Sequence, residues 1–224
     1  MAAWIVHLRI AEKLFARLGI KNAADYYVGS VAPDSGRMVG PFEYLPPKDV
    51  SHWKRDRISD EERLAINDEF AFKFLKDETD PEKRDLFTGY YVHILTDTFF
   101  TRDVIRPYVM KYGRDEWHRN IGSIRANWYD IDFRFVAEHP DFYPLEVLGK
   151  VKDYPNVYFD YFTKDDITER VTYIYGLYKN SRPGENVPFI SVTPDSISRF
   201  VDKVSDEIFD RVTRVIPAFK EVTV

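Results

Sequence analysis

Cysteine is absent from the 224 residues, so neither a disulfide framework nor a thiolate metal site can form. Any metal has to be held by His, Asp, Glu or backbone oxygen, which favours hard or borderline ions. Long apolar runs are missing as well. No stretch approaches the roughly 18 apolar residues of a membrane span. Arg9, Glu12 and Lys13 interrupt the N-terminal MAAWIVHLRIAEKL before a signal-peptide apolar segment develops. The expectation is a soluble, cytoplasmic chain without a transmembrane segment. There is no basic surplus: 32 Lys and Arg face 37 Asp and Glu, giving a net charge of -5. That balance argues against stable, sequence-independent nucleic-acid binding. GxGxxG, GxSxG and Walker-type phosphate loops are absent, as are confident strands, internal repeats, low-complexity tracts and domain linkers.

What is present is helical periodicity over a large apolar inventory. Apolar residues make up 44%, aromatic ones 16% and charged ones 31%, enough for one sizeable core and a surface to cover it. The expected fold is all-α, a multi-helix bundle forming a single domain over residues 1–224. Trp4, Leu8, Ala11, Leu14, Phe15 and Leu18 line one side of a first helix, with Gly19 as its stop. A second helix over about Asn22–Val31 ends at Ala32-Pro-Asp-Ser-Gly36. From there to about Ile58 the chain reads as loop, because Pro41, Pro46 and Pro47 disfavour regular structure. A loop of that length in a compact domain is usually functional or clamped. Helices are expected again from Ser59 to about Lys76 and from Thr79-Asp-Pro to a stop or kink near Arg106, before Pro107. Further helices are expected over about Asp115–Glu138, Pro144–Val151, Lys164–Tyr178 and Asp195–Ala218.

The histidines number five: His7, His52, His93, His118 and His139. Leu86, Tyr90, His93, Asp97, Phe100 and Val104 fall at helical intervals on one face. His93 and Asp97 are thus an imidazole and a carboxylate one turn apart in an apolar stripe. At i, i+4 they project toward a common point, as a two-toothed metal ligand would. The alternative is a core His capped by its Asp. For Asp34 the alternative is an ordinary turn residue after Pro33, for His7 a satisfied core histidine, and for His52 an exposed loop residue. Lys48, Lys54, Arg55 and Arg57 around His52 either draw a phosphate toward the site or form a solvated loop balanced by Asp49, Asp56 and Asp60; the second is the plainer reading.

Taken in order, WxxH (Trp4, His7), GSVAPDSG (Gly29–Gly36), SHW (Ser51–Trp53) and GYYVHILTD (Gly89–Asp97) resemble the zinc-dependent phospholipase C family. That family is similar in fold to the single-strand-specific zinc nucleases. The resemblance covers about the first 105 residues. It implies that His7, Asp34, His52, His93 and Asp97 are metal-site residues, binding zinc or another divalent metal as one to three ions. It implies a phosphoesterase that acts on a small phosphate ester through metal-activated water, with Asp34 as a ligand or as the base that orients the water. Two departures stand out. Secreted members ligate metal with the amino group of an N-terminal Trp, whereas Trp4 follows Met-Ala-Ala. The downstream His with HxxxE or HxxxD is also missing, since Gly122 follows His118 and Tyr143 follows His139 at that spacing. Asp130 and Asp132 are the candidate substitutes, with a surface acid or internal salt bridge as the alternative. The rival functions are a non-catalytic helical binding protein with a structural metal, and a nuclease or nucleotidase on the same fold.

Overall fold

The computed structural model describes residues 2–40, 43–55, 58–185 and 187–222, with side chains described through Phe219. Pro41, Asp56 and Arg57, weighed above, lie outside the described residues. The chain is mostly helical. In order it forms α1 (Trp4–Phe15), α2 (Ala23–Gly29), a 3-10 turn (Ala32–Asp34), β1 (Arg37–Gly40), β2 (Glu43–Leu45), α3 (Lys48–Ser51) and α4 (Asp60–Phe74). There follow α5 (Pro81–Phe100), α6 (Arg106–Tyr112), α7 (Arg114–Glu138), α8 (Tyr143–Lys150), α9 (Asp166–Asn180), α10 (Pro194–Val215) and a final 3-10 segment (Pro217–Val222). No described helix is long and apolar enough to cross a membrane.

The helix starts follow local chemistry. Asn22 accepts from the backbone of Ala24 and Asp25, Ser59 and Glu62 form a reciprocal capping box, and Asp80 caps α5 ahead of Pro81. Two expectations need correction. The stretch read as loop between Asp34 and Ile58 contains an antiparallel hairpin, Arg37 opposite Leu45 and Met38 opposite Tyr44, and then the single turn of α3. Pro46 and Pro47 mark the junction between β2 and α3 rather than the absence of structure. The end or kink expected near Arg106 falls a few residues earlier, where α5 gives way after Phe100. A π-helical turn over Thr101–Ile105 carries the chain straight into α6, which contains Pro107. The wider i→i+5 turn takes up the mismatch that a proline without an N–H would otherwise force on the α-helical ladder.

Helix α5 is the hub, packing on α1, α2, α4 and α10. Its burial is not a stripe but runs around most of its circumference, from Asp85 to Thr96 without interruption. A helix enclosed on all sides has no water to satisfy a polar side chain, which sharpens the question posed by His93. The crossing with α2 is unusually close. A Cβ on Gly89 would run into the Tyr26 carbonyl, and one on Gly29 into the Leu86 carbonyl. The two glycines therefore let backbone meet backbone, and that approach brings the end of α2 against the middle of α5.

Candidate metal centre

His7 is supplied by α1, Asp34 by the 3-10 turn after α2, His52 by the end of α3, and His93 and Asp97 by α5. The structure brings these five side chains into one buried cluster. His7, Asp34, His52 and His93 are each at most 4% exposed, while the Asp97 side chain retains 13%. Two triads, His7–His93–Asp97 and Asp34–His52–His93, each place one potential ligand atom per residue within 4.8 Å of the others. His7 Nε2 lies 3.4 Å from Asp97 Oδ1, and His52 Nε2 lies 3.3 Å from Asp34 Oδ1 and 3.7 Å from Asp97 Oδ2. Donor atoms around a tetrahedral zinc at about 2.0–2.1 Å stand about 3.3–3.4 Å apart, so the spacing fits a divalent ion. His93 Nε2 is common to both triads and offers one lone pair, so a second ion would have to rely on the remaining ligands.

Four of the five side chains, all but His7, are held by a partner behind them. His93 Nδ1 donates to the Ser30 carbonyl at 2.8 Å, a contact made available by the Gly29–Gly89 crossing. That bond puts the proton on Nδ1 and leaves Nε2 as an acceptor facing the cluster. His93 is 3.9 Å from Asp97, too far for a hydrogen bond, so the arrangement is not that of a histidine capped by its Asp. His52 Nδ1 contacts Ser51 Oγ at 2.9 Å, and the Ser51 carbonyl accepts from the Tyr90 hydroxyl. Trp53 follows with φ of 45°, a left-handed residue that ends α3 and turns its ring onto Phe70 and Phe74. Asp34 Oδ2 accepts from Trp4 Nε1 at 2.8 Å, and its Oδ1 pairs with Lys48 Nζ. Asp97 Oδ1 accepts from the Ala2 amide at 2.9 Å.

The electrostatics separate acids from imidazoles. Burial pushes the His93 pKa down to about 3, helped by His7, whose ring stacks on it at 3.8 Å and 2°. Burial lowers His52 as well. Burial alone would raise both carboxyls. The Lys48 ammonium and the contact with His52 nevertheless hold Asp34 well below the usual range, and Asp97, with His7 close against it, is held low as well. Neutral His52 and His93 rings thus face ionised carboxylates. Both ring nitrogens of His7, with Nε2 of His52 and of His93, are buried without a hydrogen-bond partner among the described residues. Each such orphan costs roughly 1–3 kcal/mol unless something satisfies it. A cation would satisfy the inward-facing Nε2 atoms together.

The four downstream candidates do not join the cluster. His118 is exposed, and His139 is exposed with its Nδ1 on the Phe135 carbonyl. Asp130 pairs with Arg134 and accepts from the Gly184 amide. Asp132 Oδ2 accepts from the Ile5 amide at 3.0 Å and the Tyr178 hydroxyl at 2.6 Å, and burial raises its pKa to about 7. It fixes the first turn of α1, which carries His7. The basic loop is also corrected in part: Lys48 is ion-paired and mostly buried rather than solvated. The signal was present, since Lys48 stands four residues before His52, the spacing of His93 and Asp97.

Above Asp34 opens a cleft of about 550 Å3, lined among others by Trp4, Lys48, Lys54, Arg125 and Arg170. Arg125 and Arg170 come from α7 and α9, and no sequence motif pointed to either. Comparison of the chain with protein-family models, curated proteins and solved structures finds no match.

Proposed function

We propose that the protein is a metal-dependent phosphoesterase with a phospholipase C-like helical arrangement. The observation that carries this reading is the set of partnerless Nε2 atoms beside two ionised carboxylates, with Asp34 lining a cationic cleft. His7, His93 and Asp97 would hold one ion, and Asp34 and His52 would complete its surroundings or hold a second. A divalent ion there supplies Lewis-acid stabilisation of phosphoryl charge and activation of water. The chain's own residues do the rest. Ser30 and Ser51 fix the rings of His93 and His52, and Trp4 fixes Asp34. Lys48 bridges Asp34 and the cleft, where it places a point charge beside phosphate oxygens. Asp34 is held too far below neutral pH to accept a proton efficiently, which favours a ligand role over that of general base.

The decisive experiment measures metal content by elemental analysis and hydrolysis of p-nitrophenyl phosphate and bis(p-nitrophenyl) phosphate. The expected result is one or two divalent ions per chain and chelator-sensitive turnover, lost in folded His52→Ala and His93→Ala. The missing downstream ligands favour one rival, a non-catalytic helical protein with a structural metal. Tight metal without turnover of any ester would support that rival. Preference for a single-stranded oligonucleotide would support a nuclease on this fold.

A further inference from the structure

The lining of the cleft has one carboxylate, Asp34, against four cationic side chains, Lys48, Lys54, Arg125 and Arg170. Asp34 is already paired with Lys48. Among the described residues Lys54, Arg125 and Arg170 have no acidic partner, in a chain whose net charge is -5. Positive charge is therefore concentrated at this opening. Arg170 is the most constrained of the three. It donates from Nη2 to the Gly36 carbonyl at 3.0 Å, and its Nε is buried with no partner.

Three of the cleft's aromatic rings, Trp4, Tyr44 and Tyr173, already face cations of the protein itself. Arg170 lies 5.5 Å from the ring centroids of both Trp4 and Tyr173, and Lys48 lies 4.9 Å from that of Tyr44. The rings beside Asp34 and Lys48 thus already carry the protein's own cations. A guanidinium with an unused donor instead matches a planar or tetrahedral oxyanion.

From this we infer that the cleft selects phosphate esters carrying a second anionic group, a carboxylate or another phosphate, held by Arg170 and Arg125 away from the scissile bond. The inference rests on the phosphoesterase reading for the position of the first phosphate, but its test does not depend on turnover. Trp4, Trp117 and Trp128 line the cleft, so intrinsic fluorescence reports occupancy.

The probes are phosphoglycolate, ethyl phosphate and phosphoethanolamine, which share a phosphate and end in a carboxylate, a methyl and an ammonium. Titrated into the protein as purified, at low salt, they should bind in that order, with about tenfold between the ends, and the spread should shrink as salt rises. In Arg170→Gln and in Arg125→Gln the three affinities should converge to within about twofold. Arg170→Lys should keep the order, which separates loss of charge from loss of the Gly36 contact. Arg125 is exposed, so its variant tests the idea even if Arg170→Gln fails to fold. Equal or reversed affinities in the unaltered protein would overturn the inference, as would an undiminished preference in the Arg125 variant. Preference for phosphoglycolate without hydrolysis of any ester would uphold the anion subsite and reject the phosphoesterase reading.

Discussion

Two groups of acids in the protein, one on α7 and one around α5, are completed differently. On α7, Asp132 receives the Ile5 amide and the Tyr178 hydroxyl, and Asp130 receives Arg134 and the Gly184 amide. Every contact is to a donor from the chain itself, and all but the Asp130–Arg134 pair within α7 tie one segment to another. Around α5, Asp34 and Asp97 sit among imidazoles whose inward nitrogens have no hydrogen-bond partner among the described residues. Burying polar atoms without partners costs stability, and a cation held between these nitrogens would offset that cost. Asp34 and Asp97 have donors of their own in Trp4, Lys48 and the Ala2 amide, so what sets them apart from the α7 acids is the imidazole nitrogens beside them.

The largest effect should come from the element that makes the α5 cluster possible. In Gly89→Ala the new methyl meets the Tyr26 carbonyl, and backbone cannot move aside as a side chain end can. Separating α2 from α5 also withdraws the Ser30 carbonyl from His93. The expectation is a stability loss of about 3 kcal/mol or more together with loss of bound metal. Wild-type stability and metal content in this variant would show that the crossing does not set the site.

Next, His93→Ala should abolish metal binding, because His93 belongs to both triads. A ligand present at 100 times its Kd contributes about 2.7 kcal/mol, and for a chain of this size 1 kcal/mol moves Tm by about 2–4 °C. Chelator should therefore lower Tm of the unaltered protein by about 5–10 °C and leave that of His93→Ala unmoved. Equal chelator sensitivity in both would break the distinction between the two regions.

How far this was legible from sequence follows the same division. The helices could be read from periodicity and from caps such as Ser59–Glu62 and Asp80–Pro81, because those signals are local. His7, Asp34, His52, His93 and Asp97 were legible as a set only through the order of four motifs, since they lie on four separate elements. The hairpin at Arg37–Leu45 was not, because strands of four and three residues are too short for a period-two pattern to emerge among prolines. Asp132 could not be told from a ligand: its spacing with Trp128 and Val136 announces burial, but its partner Tyr178 is 46 residues away. Arg170 carried no signal at all, as its anchor on Gly36 spans 134 residues.

A smaller, pH-dependent effect should mark the satisfied acid. Asp132 has a folded pKa of about 7, raised by burial from 3.8. Between about pH 4 and pH 7 the folded protein keeps a proton that the unfolded chain has released, so stability falls as pH rises through that window. In Asp132→Asn the amide oxygen can still accept from Ile5 and Tyr178, and the titration is gone. Denaturant unfolding at pH 5 and pH 7.5 should show the variant gaining on the unaltered protein by about 2 kcal/mol. Parallel pH profiles would mean that the carboxyl titrates alike in both states.

The smallest effect should be that of Asp130→Ala. Its two bonds, to Arg134 Nε and the Gly184 amide, are both 2.7 Å, so the site looks as well made as that of Asp132. The difference lies in what is left behind. The Arg134 side chain is 34% exposed and recovers water when its partner goes, and the Gly184 contact lies in the segment between α9 and α10 rather than in a helix. No fully buried charge is orphaned, so the cost should be near that of a partly exposed ion pair and one hydrogen bond, about 1 kcal/mol. Metal content should not change, because Asp130 belongs to neither triad. Loss of metal in this variant would show that the α7 acids and the α5 cluster are one system, and the contrast between the acids of α7 and those set among imidazoles would have to be given up.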